Sequence, residues 1–337
     1  MRTFFNLFLL ALCACCLSFC GTQSGDKNKI PGSDTTAAAL EKLNERLRND
    51  PGNAALYQQR ARLELRKKSF DASLADMKRA IAIDSTKAEY YMTLSDVSFA
   101  MNKSGTAKQA LEKCHRLDPG NADCIMKLAE LYFYVRKYQE SLNFLDEALL
   151  LDKFNAKAYF MKGMNFKETG DTTKAISSMQ TAVEQDNTYY NAYIQLGLLF
   201  AAKHDKLGED YFNNALKLQP ENPEVLYDLA RMYQDEQKYK EAASLYQRML
   251  AINKNFFDAQ YNLGVVMVDL KSYAEALNFF SNAIGIQPKN PKPYYARGYA
   301  YQLMGNFQNA ATDYRYSLTL DPELDAAKQR LAEMHLK

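Results

Sequence analysis

The chain holds three histidines, His115, His204 and His335, and six cysteines. Cys13, Cys15, Cys16 and Cys20 crowd the first twenty residues, and Cys114 and Cys124 lie in the interior. Imidazole and thiolate groups do acid–base, nucleophilic or metal chemistry only with partners spaced to reach hydrogen-bonding or ligand distance. His115 and His204 are far apart in sequence and neither has such a partner, which makes them surface or turn residues. No Gly-rich phosphate loop, zinc-type Cys/His spacing or nucleophile elbow occurs. Asp and Glu are interleaved with Lys and Arg, the pattern of solvated helix faces. The sequence therefore predicts no catalytic residues, no metal and no cofactor. With 42 Lys+Arg against 40 Asp+Glu, the net charge of +2 removes the global argument for a nucleic-acid partner.

The elements that carry these residues start with an address. Residues 1–20, MRTFFNLFLLALCACCLSFC, have Arg2 followed by an uncharged, mostly apolar run that is short for a membrane span. This predicts an export signal. Its end, Leu17-Ser18-Phe19-Cys20, resembles a bacterial lipoprotein signal. The resemblance implies a lipid on Cys20 and attachment in the cell envelope facing the periplasm. Phe19 departs from the small residue usual before the Cys. Cys15, and cleavage to a soluble secreted form, are the alternatives. Residues 21–36, GTQSGDKNKIPGSDTT, are polar and read as a flexible linker.

Beyond the linker, 47% hydrophobic and 24% charged residues describe a folded chain, and 14 Gly and 9 Pro in 337 residues favour helices over turn-rich β structure. Length alone suggests about two domains. A stronger signal is internal repetition at 34 residues: Asp50-Pro51, Asp118-Pro119, Gln219-Pro220, Gln287-Pro288 and Asp321-Pro322 are separated by multiples of 34, with one residue missing. Eight repeats begin at Ala54, Ala88, Ala122, Ala156, Tyr190, Pro223, Phe257 and Pro291. The eighth and twentieth residues of each are Gly, Ala or Ser, and the gap falls in the turn Lys203–Gly208 of repeat five. Large apolar residues recur between them at helical spacing, so each repeat is two amphipathic helices that approach closely at the small residues. Pro stops the second helix. Asn53, Asn121, Asn155, Asn222 and Asn290 are placed to cap the next one.

This pattern resembles the tetratricopeptide repeat family over residues 54–324. The resemblance implies an all-α, right-handed α-solenoid of about eight helix–turn–helix units. Residues 37–48 form an N-terminal capping helix and residues 325–337 a C-terminal one, making 37–337 one array. The place of the family's early Trp holds Tyr57, Tyr91, Tyr159, Tyr193 and Tyr294 in five repeats. Cys114 and Cys124 flank one connecting turn at similar distances. They could form a disulfide in an oxidising compartment, or could be two reduced buried thiols.

In this family the first helix of each repeat lines a concave groove. The resemblance thus places Met126, Phe160, Ile194, Tyr227, Tyr261, Tyr295 and Tyr299 along it, an apolar, Tyr-rich stripe suited to interfaces. The same residues could equally serve helix packing. Family members that grip a terminal carboxylate use basic residues on this face; here only Arg62, Arg66 and Lys167 are scattered along it. The expected function is a non-catalytic scaffold or adaptor that binds a protein or peptide partner in the groove, with the membrane reached through the lipid. A small-ligand or glycan receptor in the same compartment is the alternative.

Overall fold

The computed structural model describes residues 33–334, which form eighteen helices and, among these residues, no strand. The export signal, Cys20 and residues 21–32 of the expected linker lie outside them. The helices fall into two compact units, one ending at Leu117 and one beginning at Asp118. The repeat period predicts a single array over 37–337. Repeats touch only their neighbours, so their period says nothing about where such a division falls.

The first unit contains α1 (Ser33–Asn49), α2 (Ala54–Arg66), α3 (Phe70–Ile83), α4 (Ala88–Ala100) and α5 (Ser104–Leu117). Helix α1 begins at Ser33, four residues before the expected start at 37. Ser, Asp and Thr read as linker by polarity, yet they are the residues that helix starts prefer. Leu43 and Leu47 of α1 pack on Leu56 and cover the open end of the first repeat.

The second unit contains α6 (Ala122–Tyr134), α7 (Tyr138–Leu151), α8 (Ala156–Glu168), α9 (Thr172–Gln185), α10 (Tyr190–Ala201) and α11 (Leu207–Leu218). It continues with α12 (Pro223–Asp235), α13 (Tyr239–Ile252), α14 (Phe257–Asp269), α15 (Tyr273–Ile286), α16 (Pro291–Leu303), α17 (Phe307–Leu320) and α18 (Asp325–Glu333). Within each unit every helix packs on its neighbours in sequence, and first helices also touch the first helix of the next repeat. This is α-solenoid packing, with even-numbered helices α2 to α16 opening the eight repeats. Ala327 of α18 is buried against Ala310 and Tyr314 and closes the last repeat.

All five predicted Asn caps form: the side chains of Asn53, Asn121, Asn155, Asn222 and Asn290 accept from backbone N–H groups in the first turn of α2, α6, α8, α12 and α16. Inside each repeat the two helices are joined by a turn with one left-handed residue. It is Lys68, Asn102, Arg136, His204, Gln237 or Lys271, at φ from 52° to 62°, or Gly170 or Gly305. The turn is closed by a six-residue ring such as Ser69 N–H to Glu64 C=O, 2.9 Å. Six of the eight repeats thus tolerate a side chain where glycine is favoured, at a cost of about 1 kcal/mol each.

The contact that sets helix spacing joins the eighth residue to the twenty-fourth. The twenty-fourth residues are Met77, Leu111, Leu145, Met179, Phe212, Tyr246, Phe280 and Tyr314, and all eight are less than 2% exposed. A Cβ at Gly264 would lie 2.6 Å from the Phe280 ring, at Gly197 2.6 Å from Phe212, and at Gly298 3.0 Å from Tyr314. Glycine lets each ring lie directly on the helix backbone. On the other side, Ser73 and Ser141, at the twentieth place, donate hydroxyl bonds to the eighth-place carbonyls of Ala61 and Ala129 (2.7 and 2.8 Å). Repeat five keeps this contact despite its gap: α11 is shortened to 12 residues, and Gly208 still faces the Gly197 carbonyl. Gly264→Ala should destabilise the protein by up to about 2 kcal/mol, since overpacking costs about 1–3 kcal/mol and alanine's helix preference returns about 1 kcal/mol. Adding Phe280→Leu, which reproduces the Ala129–Leu145 pairing of repeat three, should recover part of that loss. Urea unfolding of the single and double variants checks this; independent, additive losses would contradict it.

Candidate functional site

The residues first considered for chemistry do not converge. His115 is half-buried in the last turn of α5, His204 is an exposed left-handed turn residue, and His335 lies outside the described residues. No group of three or more His, Cys, Asp or Glu among the described residues is placed to hold a metal ion. Cys114 and Cys124 are wholly buried, and each is disulfide-bonded.

The second unit's first helices present a different kind of site. Ile194 of α10, Tyr227 of α12 and Tyr261 of α14 all pack half-buried against one continuous core. Tyr295 and Tyr299 of α16 pack against the core closed by α18. Each tyrosine at the fifth place rests on the twenty-fourth-place ring of its own repeat. Ring centroids are 6.2 Å apart for Tyr227–Tyr246, 5.9 Å for Tyr261–Phe280 and 5.6 Å for Tyr295–Tyr314. The three form a row of rings fixed from beneath and part-exposed above. Phe160, the fifth residue of repeat four, is 5.1 Å from the Tyr189 ring and packs against the Met179–Leu196 core. Met126 does not join the row. It is 7% exposed and packs with Ile125, Leu145 and Met161. A flexible thioether fills a core gap as readily as it lines a surface, so sequence could not separate the two roles.

Two of the three scattered bases, Lys167 and Arg62, are engaged within the chain, and Arg66 is exposed. The Lys167 ammonium donates to Gln195 Oε1 at 2.6 Å, and burial holds its pKa below the usual lysine value. Arg62 Nε donates to Thr93 Oγ1 at 3.3 Å. Two half-buried arginines serve packing: Arg60 and Arg297 make bidentate pairs with the buried Asp76 and Asp313, at 2.7–2.9 Å. Those partners raise both guanidinium pKa values further.

Three features escaped the sequence reading. The tyrosine in the family's Trp place does more than fill volume: Tyr57, Tyr91, Tyr159 and Tyr294 donate their hydroxyls to carbonyls six residues upstream, at 3.1–3.2 Å, and so clamp the connecting turn. Gln260 does the same through its amide, at 2.9 Å. Buried Tyr246 and Tyr314 hydroxyls donate to Gln234 and Gln302 (3.0 and 2.7 Å), both at the twelfth place. Where the buried ring is Phe212 or Phe280, that place is Ala201 or Val268, so the covariation was present in the sequence. Lastly, Asp228 on α12 is a half-buried carboxylate with no hydrogen bond or ion pair. Burial foremost, and Glu224 next, push its carboxyl up to about 6 against the opposing charge of Arg231.

Comparison with known proteins fits this architecture. Tetratricopeptide-repeat profiles match residues 88–121, 156–189, 207–256, 233–300 and 291–324, together more than half of the chain. The human cell division cycle protein 16 homolog is 27% identical over 231 residues, covering 65% of this chain and 37% of that protein. Anaphase-promoting complex subunit 6 of Arabidopsis thaliana is 23% identical over 239 residues, covering 68% and 44%. The chain therefore spans less than half the length of these two curated relatives. The crystal structure of the C-terminal part of a repeat protein from Cytophaga hutchinsonii covers 70% of this chain and 98% of its own, with a TM-score of 0.63 at 19% identity. That likeness shows the fold alone. Periodic small residues, capped helix pairs and family matches converge, and the chain belongs to the tetratricopeptide repeat family.

Proposed function

We propose that the chain is a non-catalytic scaffold or adaptor that binds a segment of a partner protein along the first-helix face of its second unit. The row Ile194, Tyr227 and Tyr261, continued by Tyr295 and Tyr299, carries this reading. Rings locked from beneath lose little side-chain entropy on binding, and tyrosine offers large apolar area with a polar end. An extended or helical segment with apolar anchors fits such a face. One relative is by its name a subunit of a multiprotein complex, in keeping with this role. Because Lys167 and Arg62 are engaged within the chain, a clamp for a terminal carboxylate is not part of the proposal.

The compartment belongs to the same proposal: export through residues 1–20, a lipid on Cys20 and a periplasm-facing position. Two disulfide-bonded cysteines fit an oxidising compartment, and we take Cys114 and Cys124 to be joined to each other.

Replacing Tyr227, Tyr261 and Tyr295 together by Ala should lower recovery of a copurifying partner by about tenfold or more, since buried interface tyrosines carry a large share of binding energy. Unchanged recovery, with loss of a glycan-induced melting shift instead, would favour a glycan receptor. Mass spectrometry of the unreduced protein from its native cells should find Cys114 and Cys124 in one cross-linked peptide and lipid on Cys20. Two free interior thiols would dispose of the bridge, and an unmodified Cys20 would dispose of the anchor.

A further inference from the structure

At two sixth places of first helices, Thr93 and Gln195, a polar side chain accepts from donors of the preceding repeat. Gln58 and Arg62 of repeat one donate to Thr93 of repeat two, at 3.1 and 3.3 Å. Lys167 of repeat four donates to Gln195 of repeat five. These donors come from the fifth, ninth and twelfth places. For Asp228, the sixth residue of repeat six, the same three places of repeat five are Ile194, Leu198 and Ala201. None can donate. Arg231, the base on its own helix, directs Nη1 to the Tyr227 hydroxyl at 3.4 Å and makes no ion pair with Asp228. A half-buried carboxylate, one residue from Tyr227, thus has apolar residues at the three donor places of the preceding repeat and makes no ion pair. Leaving such a group unpaired is costly, and a bound cation would relieve the cost.

The same face takes a guanidinium elsewhere, from within the chain. Arg330 of α18 lies 4.7 Å from the Tyr299 ring centroid and pairs with Glu333 of its own helix at 3.4 Å, and nearby Tyr295 helps hold its charge. A cation beside a first-helix tyrosine is what Asp228 and Tyr227 offer to an outside side chain, with Ile194 and Leu198 of the preceding repeat for its stem.

We propose that Asp228 is the subsite for one Lys or Arg side chain of the bound segment, whose aliphatic stem lies on Ile194 and Leu198 beside Tyr227. The proposal rests on the reading of the first-helix face as the binding surface and adds the chemistry of the partner: a basic residue set between apolar anchors. It also explains why an unpaired acid is kept in an apolar setting, since function often retains a group that stability alone would remove.

Random twelve-residue peptides displayed on phage and selected on the immobilised full chain at about pH 7.5 test it. The retained pool should be enriched in Lys or Arg flanked by apolar residues. A synthetic peptide from that pool should bind Asp228→Asn at least about tenfold more weakly, a loss of about 1.4 kcal/mol, and bind Asp258→Asn as it binds the unaltered chain. Without peptide, Asp228→Asn should raise Tm near pH 8 and leave it unchanged near pH 4. A carboxyl whose pKa is raised by folding destabilises increasingly as pH rises from its unfolded value, about 4, through its folded one. A pool without basic enrichment, equal binding by Asp228→Asn, or a lower Tm for that variant near pH 8 would overturn the subsite alone. Retention no greater than by the triple tyrosine-to-alanine variant would overturn the binding surface, and the subsite with it.

Discussion

Each repeat is organised around one contact, a large side chain laid on a helix backbone where a Cβ has been removed or kept minimal. Gly163, Gly197, Gly264 and Gly298 face Met179, Phe212, Phe280 and Tyr314. Ala61, Ser95 and Ala129 stand opposite the smaller or more flexible Met77, Leu111 and Leu145. Volume is thus traded across the pair, as close-packed interiors demand. Gly163 opposite the flexible Met179 and Ala230 opposite Tyr246 are the exceptions, and the Tyr246 ring is also held by a hydroxyl bond to Gln234. The contact fixes how near the two helices come. It also fixes the platform on which Tyr227, Tyr261 and Tyr295 rest, so the proposed binding row is a direct product of core packing.

Much of this was legible in the sequence. The 34-residue period, the small residues, the Asn caps and the helix pairs follow from spacing and from what each residue type does to a backbone. The turn residues were less legible because six of the left-handed positions are not glycine, and Lys271 or Gln237 gives no local sign of φ above zero. Met126 illustrates a different limit: periodicity places a residue on a face, but whether that face is open or covered depends on the next repeat. The Tyr hydroxyl clamps depend on a carbonyl six residues upstream, a detail of turn geometry that side-chain pattern alone does not contain. Asp228 became visible only when its place in the repeat was compared with the donors that satisfy the same place elsewhere.

The electrostatics of the first-helix face also follow from repeat register. Lys167 and Arg62 meet polar residues of the next repeat, and Arg330 lies on Tyr299. Asp228 makes no ion pair and meets no donor of the preceding repeat. Solenoids bind through long surfaces assembled from equivalent places in successive repeats. Selectivity then resides in the few places where one repeat departs from the rest, and repeat six departs here.

The central claim is that partners are met by the tyrosine row and not by the opposite, second-helix surface. Its most direct measurement is photo-crosslinking in native cells, with benzoylphenylalanine placed at Tyr227 in one strain and at exposed Arg248 of α13 in another. The account predicts a discrete cross-linked protein partner from Tyr227 and none from Arg248. Cross-linking from Arg248 with none from Tyr227 would contradict it.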